Sequence, residues 1–292
     1  MSYVFNRFEY LNNIPMKIVH YVLFLFMISF FSNAQNKKIE KQAKEIVEEG
    51  KMLYRSEMAS WYGSDLFMEK ISDKKDRIGG YFSYSDGDVS KCVFFSKDEK
   101  PITLGIITFD STYNTKSAVI DETERALTVL ENDLFQIRAK TLERVNSATD
   151  TIFKFYKKSN YNVIPLIKNN QKKVFIVTGT TENGKAIIGN DYLLTFDRKN
   201  EIIKTERLHN SLLYFKTNDD SVGGAHNHII GKSELITSTD ICTLMLYSRF
   251  SNWESHYVIS KDFVSIWDCK TNKLKVMKYE DWAKENEIEN KN

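Results

Sequence analysis

Ile39, Ala43, Ile46, Gly50 and Leu53 recur at spacings of four, three, four and three residues. That is the period of one helical face, so a helix is expected here. WYGSD from Trp61 interrupts the pattern and predicts its end. The next apolar runs, GGYFSY and KCVFFS, are short, rich in aromatic and β-branched residues, and separated by SDGDVS, whose Asp-Gly pair signals a hairpin. ITLGIITFD follows as a further strand. The helical period returns at Ala126, Leu130, Leu134 and Ile137. Asp121 precedes Glu124 in the spacing of a capping box, which predicts a helix from Asp121 to about Val145.

After that helix, VIPLI, KVFIVTGT, KAIIGNDYLLTFD and EIIKTERLHNSLLYF read as four strands joined by KNNQKK, TENG and RKN. TSTDICTLMLYSRF reads as a helix, HYVISKDFVSIWDC as a hairpin turning at Lys261-Asp262, and the polar tail after Trp282 as frayed. The fold class expected is α+β, with antiparallel sheets, an N-terminal helix, a long central helix and a C-terminal helix-hairpin. A division between Asn146 and Thr151 would separate residues 35–150 from 151–292, unless both halves share one core.

Residues 1–34 read as a cleaved export leader. Arg7 and Lys17 precede an apolar run from Val22 to Phe31, then Ser32-Asn33-Ala34, a small-x-small cleavage pattern. The run is shorter than the ~20 apolar residues of a membrane span. Met1 and Met16 are both possible starts. Cleavage after Ala34 leaves 258 of the 292 residues, a near-neutral chain destined for the periplasm or the outside of the cell. Mixed charge gives no footprint for nucleic acid. Cys92, Cys242 and Cys269 sit in apolar contexts and are expected as buried thiols rather than a disulfide framework.

Candidate chemistry gathers late in the chain. His226 and His228 would share one face of an extended segment, and two imidazoles so placed can ligate zinc. Asp240 is a third ligand if the loop between folds back. His-x-His followed by Thr-x-x-Asp at a helix start resembles the zinc motif of the JAMM (MPN) metal-dependent hydrolases. That resemblance covers residues 226–240, with Ile229 where the family usually has proline. It implies His226, His228 and Asp240 as metal ligands, Thr237 in place of the family's serine beside the catalytic water, and Glu182, the nearest upstream acid by spacing, as general base.

A plainer reading uses the same residues. Thr237 to Asp240 suit a helix N-terminus, and His226 and His228 follow glycines and aspartates typical of an exposed loop. His209 and His256 then read as half-buried imidazoles that matter only if both face His228. On that reading, the leading one, the protein is a cofactor-free binding or interaction module for a protein or small molecule, with no membrane span in the mature chain. The alternative is a zinc-dependent hydrolase. No Gly-x-Ser-x-Gly or phosphate-binding loop occurs, and Ser72-x-x-Lys75 lacks the companion elements of a catalytic pair. Mass spectrometry of the exported protein should find its N-terminus at Gln35; recovery of the uncleaved chain in the membrane would contradict this.

Overall fold

Helix α1 (Met16–Lys70) runs through the expected stop at WYGSD. Gly63 does not end it, because its role is packing. A Cβ there would lie 2.7 Å from the Cβ of Cys92. Gly50 has the same role towards residues 238–241, where a Cβ would come within 2.7 Å of the Ile241 Cβ and 2.9 Å of the Ser238 carbonyl oxygen. A helix-interior glycine costs about 1 kcal/mol against alanine, which is why it reads as a break from sequence alone. The computed structural model describes residues 16–217, 221–228 and 233–289. The chain divides into two units, Met1–Glu45 and Ile46–Asn292. Residues 1–15 of the expected leader lie outside the described residues. No helix among the described residues is long and apolar enough to cross a membrane.

The first sheet is an antiparallel meander in chain order: β1 (Ile78–Asp86), β2 (Val89–Ser96), β3 (Thr103–Phe109) and β4 (Val119–Asp121). Asp121 therefore ends a strand rather than starting a helix, and its carboxylate accepts the Thr123 N–H at 2.9 Å. Helix α2 (Val129–Asn146) begins later, under a capping box of Thr128 and Glu131. Thr128 N donates to Glu131 Oε2 at 2.7 Å, and Arg125 forks onto the same carboxylate at 2.7 and 2.9 Å. The acids upstream of Thr128 imitate a first helical turn, and the better box lies beyond them.

A second sheet orders β5 (Ser159–Lys168), β6 (Gln171–Thr180), β8 (Tyr192–Phe196) and β9 (Ile202–Arg207), all antiparallel. A separate pair joins β7 (Lys185–Gly189) to β10 (Leu212–Lys216). Two runs that read as single strands are thus each broken once, and at the same level. Gly189 and Asn190 take φ of +98° and +57°, values that glycine and asparagine tolerate best. Asn190 N donates to Ser211 O at 2.9 Å, and Leu208 N to Asp191 O at 2.8 Å, so the two breaks stay stitched together.

The third sheet runs β11 (Gly223–Asn227), β12 (Ser255–Ile259), β13 (Phe263–Asp268), β14 (Lys273–Lys278). Antiparallel pairing holds throughout, except that β11 and β12 are parallel. Helix α3 (Ser238–Tyr247) lies between them in sequence and supplies the crossover that parallel strands need. The tail does not fray at Trp282 but forms helix α4 (Tyr279–Glu289).

A single buried cluster holds Leu53 and Phe67 of α1, Phe94 of β2, Phe175 of β6 and Cys242 of α3. It takes residues from both sides of Asn146–Thr151. All three cysteines are buried free thiols. Burial pushes Cys92 and Cys269 up to about 12, which leaves them protonated and unreactive. Replacing Thr128 by Ala should lower stability by about 1 kcal/mol in urea unfolding. Asp121→Ala should stay within about 0.5 kcal/mol.

Candidate metal centre

The pairing of β11 with β12 places the first two histidines. His226 faces Val258 across the ladder. His228 extends it by one hydrogen bond, His228 N to Ile259 O at 2.8 Å. Two residues apart on extended chain, the two rings point to one side. They are 7 % and 9 % exposed, so the exposed loop expected around them is corrected: strand pairing turns the segment inward. His209 comes from the break between β9 and β10, and Asp191 from the break between β7 and β8. Both are buried.

Asp240 comes from the first turn of α3. Its Oδ2 accepts from Thr237 N at 2.9 Å and from Thr237 Oγ1 at 2.8 Å, while Asp240 N donates to Thr237 Oγ1 at 3.1 Å. The Thr237 hydroxyl is thereby engaged in the helix cap. The carboxylate is fully buried, and its Oδ1 has no hydrogen-bond partner among the described residues.

His209, His226, His228 and Asp240 each aim one donor atom at a common point, all four atoms lying within 4.8 Å of one another. His209 Nε2 and His226 Nε2 stand 3.2 and 3.1 Å from His228 Nε2. Asp240 Oδ1 is 3.3 Å from His209 Nε2, and Oδ2 is 3.8 and 3.6 Å from His226 and His228 Nε2. A tetrahedral ion with bonds of 2.0–2.1 Å has ligand-to-ligand edges of roughly 3.3 Å. Three of these separations, 3.1, 3.2 and 3.3 Å, are close to that edge, and the cluster could hold a metal ion.

The other ring nitrogens face neighbouring groups. His228 Nδ1 lies 3.0 Å from the Ser233 carbonyl, which can only accept, so that nitrogen carries the proton. His209 Nδ1 lies 3.4 Å from Asp191 Oδ2, a charge contact without hydrogen-bond geometry. His226 Nδ1 meets His256 Nε2 at 2.9 Å. A neutral His228 therefore turns its Nε2 lone pair toward His209 and His226, where a cation or a shared proton can be held.

The electrostatics favour positive charge at that point. Burial works against a charge on His209, but Asp240 and Asp191 outweigh it and push its pKa up to about 10. Burial also opposes the Asp240 charge, yet His209 and His226 hold that carboxyl well below its usual range. Burial lowers His226 to about 4 and His256 to about 3, so both are neutral at pH 7. Burial raises Asp191, with His209 opposing. Without a metal, the surplus proton sits on His209; a metal ion would take its place.

Of the residues singled out from sequence, the fold brings His226, His228 and Asp240 together, with Thr237 behind Asp240. Glu182 is not among them. Its carboxylate is held by Lys158 at 2.8 Å and Lys185 at 2.9 Å in the turn between β6 and β7. His209 and Asp191 were missed as members of the site. Their signals were the turn residues beside them, Asn210-Ser211 and Gly189-Asn190, which mark strand breaks. No protein-family model, curated protein or solved structure matches the chain. In chelator-treated protein, Asp240→Asn should cost about 1–3 kcal/mol of stability, because it removes the buried carboxylate that faces His209 while Asp191 remains on the other side of the ring. An ordinary helix-start change would cost under about 1 kcal/mol.

Proposed function

We propose that the chain is an exported, non-catalytic binding module fastened by one zinc ion on His209, His226, His228 and Asp240. The convergence of three imidazoles and one buried carboxylate, with donor atoms within 4.8 Å of one another, carries this reading. Three neutral nitrogens and one oxygen suit zinc better than magnesium or calcium, which prefer oxygen alone. Four protein donors close the coordination sphere, as in structural sites, whereas catalytic zinc keeps a position for water. Asp191, His256 and the Ser233 carbonyl stand behind the ligands and orient their rings. The leader ending at Ala34 supports a periplasmic or secreted location.

The hydrolase alternative is less favoured. His209 takes the place a catalytic water would need, and Glu182 is engaged by two lysines. Metal analysis of the purified mature chain should find one zinc per molecule. Zinc at a hundredfold over its dissociation constant should stabilise the apoprotein by about 2.7 kcal/mol. His209→Ala and His228→Ala should each abolish that gain, and Glu182→Gln should retain it. Absence of bound zinc, or a gain that survives both histidine changes, would refute the assignment.

A further inference from the structure

A cleft of about 240 Å³ opens among α1, β1, α2, β5 and the end of α3, and it shares no residue with the metal cluster. Two opposite charges face it. Glu57 enters from α1 and Arg138 from α2, both half-buried. Each charge attracts the other and Glu57 also meets Asn162, while no hydrogen bond is seen among the described residues to Arg138. Its five N–H donors are thus available in a partly screened place. The nearby hydroxyls are already engaged. Ser60 and Ser83 pair at 2.8 Å, Ser56 donates to the Ser83 carbonyl at 3.3 Å, and Tyr161 donates to the Lys154 carbonyl at 2.7 Å. Trp61, Tyr81 and Tyr247 add ring surface to the walls.

Burial pushes the Glu57 carboxyl up to about 7, with Arg138 and Asn162 opposing. Burial likewise lowers the Arg138 pKa, with Tyr81 and Glu57 opposing. Burial penalises each charge, and their mutual attraction offsets only part of that penalty. A simple anion would satisfy Arg138 but meet a second carboxylate. A simple cation would satisfy Glu57 but meet a guanidinium. A ligand carrying both signs answers both groups, and a forked guanidinium suits a carboxylate.

We infer that this cleft binds a small zwitterion of amino-acid type, its carboxylate on Arg138, its ammonium on Glu57 and its side chain against the aromatic wall. The volume lies below the roughly 300–1,000 Å³ of pockets for drug-sized ligands, which favours a single amino acid over a peptide. This inference rests on the binding-module reading and is independent of the zinc.

Calorimetric titration of the mature, zinc-loaded chain with L-phenylalanine, 3-phenylpropanoate and phenethylamine tests it. L-Phenylalanine should bind about tenfold or more tightly than either truncated analogue, a difference of about 1.4 kcal/mol or more. Arg138→Met should remove the advantage over phenethylamine, and Glu57→Gln the advantage over 3-phenylpropanoate. The wild-type comparison needs no variant, so a misfolded mutant cannot obscure it. Equal binding of the acid and the amino acid, or no binding of any of the three at millimolar concentration, would overturn the proposal. Zinc content measured on the same sample separates that failure from a failure of the metal assignment.

Discussion

The Asp240 carboxylate is buried completely, and the architecture around it follows from the need to satisfy its charge. One oxygen closes the capping box with Thr237 and so defines where α3 begins. The other lies against the His209 ring with no hydrogen-bond donor of its own. An isolated buried carboxylate is expensive, and its cost falls only when a positive group is held close. His209, His226 and His228 must therefore be delivered to the first turn of α3 by segments distant from it in the fold. A metal ion or the His209 proton then balances the charge.

That delivery depends on two irregularities that stay in register. The strands leading through Gly189-Asn190-Asp191 and Leu208-His209 break side by side, with main-chain hydrogen bonds across the gap. A Cβ at Gly189 would fall 2.3 Å from the Ser211 carbonyl oxygen, so the close approach requires glycine. Each break shifts a polar side chain from a sheet face to the interior, Asp191 on one strand and His209 on the other. Below them, Ala186, Ile188, Ile241, Leu244 and Trp267 form an apolar floor that keeps α3 against the β7–β10 pair and the third sheet. The glycine contact at Gly50 brings α1 onto α3 from the far side.

The two sites differ in kind. At the candidate metal cluster every donor is buried, and His226 and His228 each have an outward hydrogen-bond partner, so the group is closed to solvent. At the cleft a carboxyl and a guanidinium line one cavity, and each only partly offsets the other's burial.

Much of the fold was legible from periodicity. The α+β class, the meander, the helix over TSTDICTLMLY and the hairpin near Lys261-Asp262 all follow from alternation, helical spacing and turn residues. So does the pairing of Thr237 with Asp240, because a capping box is a local device. The errors were also local in origin: Gly63 looked like a stop and Asp121 like a cap, since packing against Cys92 and competition from Thr128 are invisible in a short window. Sequence alone determined that His226 and His228 share a face and that Asp240 lies in the first turn of a helix. Only tertiary structure decided that the face is buried, that β11 pairs in parallel with β12, and that His209 and Asp191 arrive from strand breaks. The reason is that burial and convergence depend on contacts between distant segments, whereas side-chain alternation and helix capping depend on neighbours within a few residues.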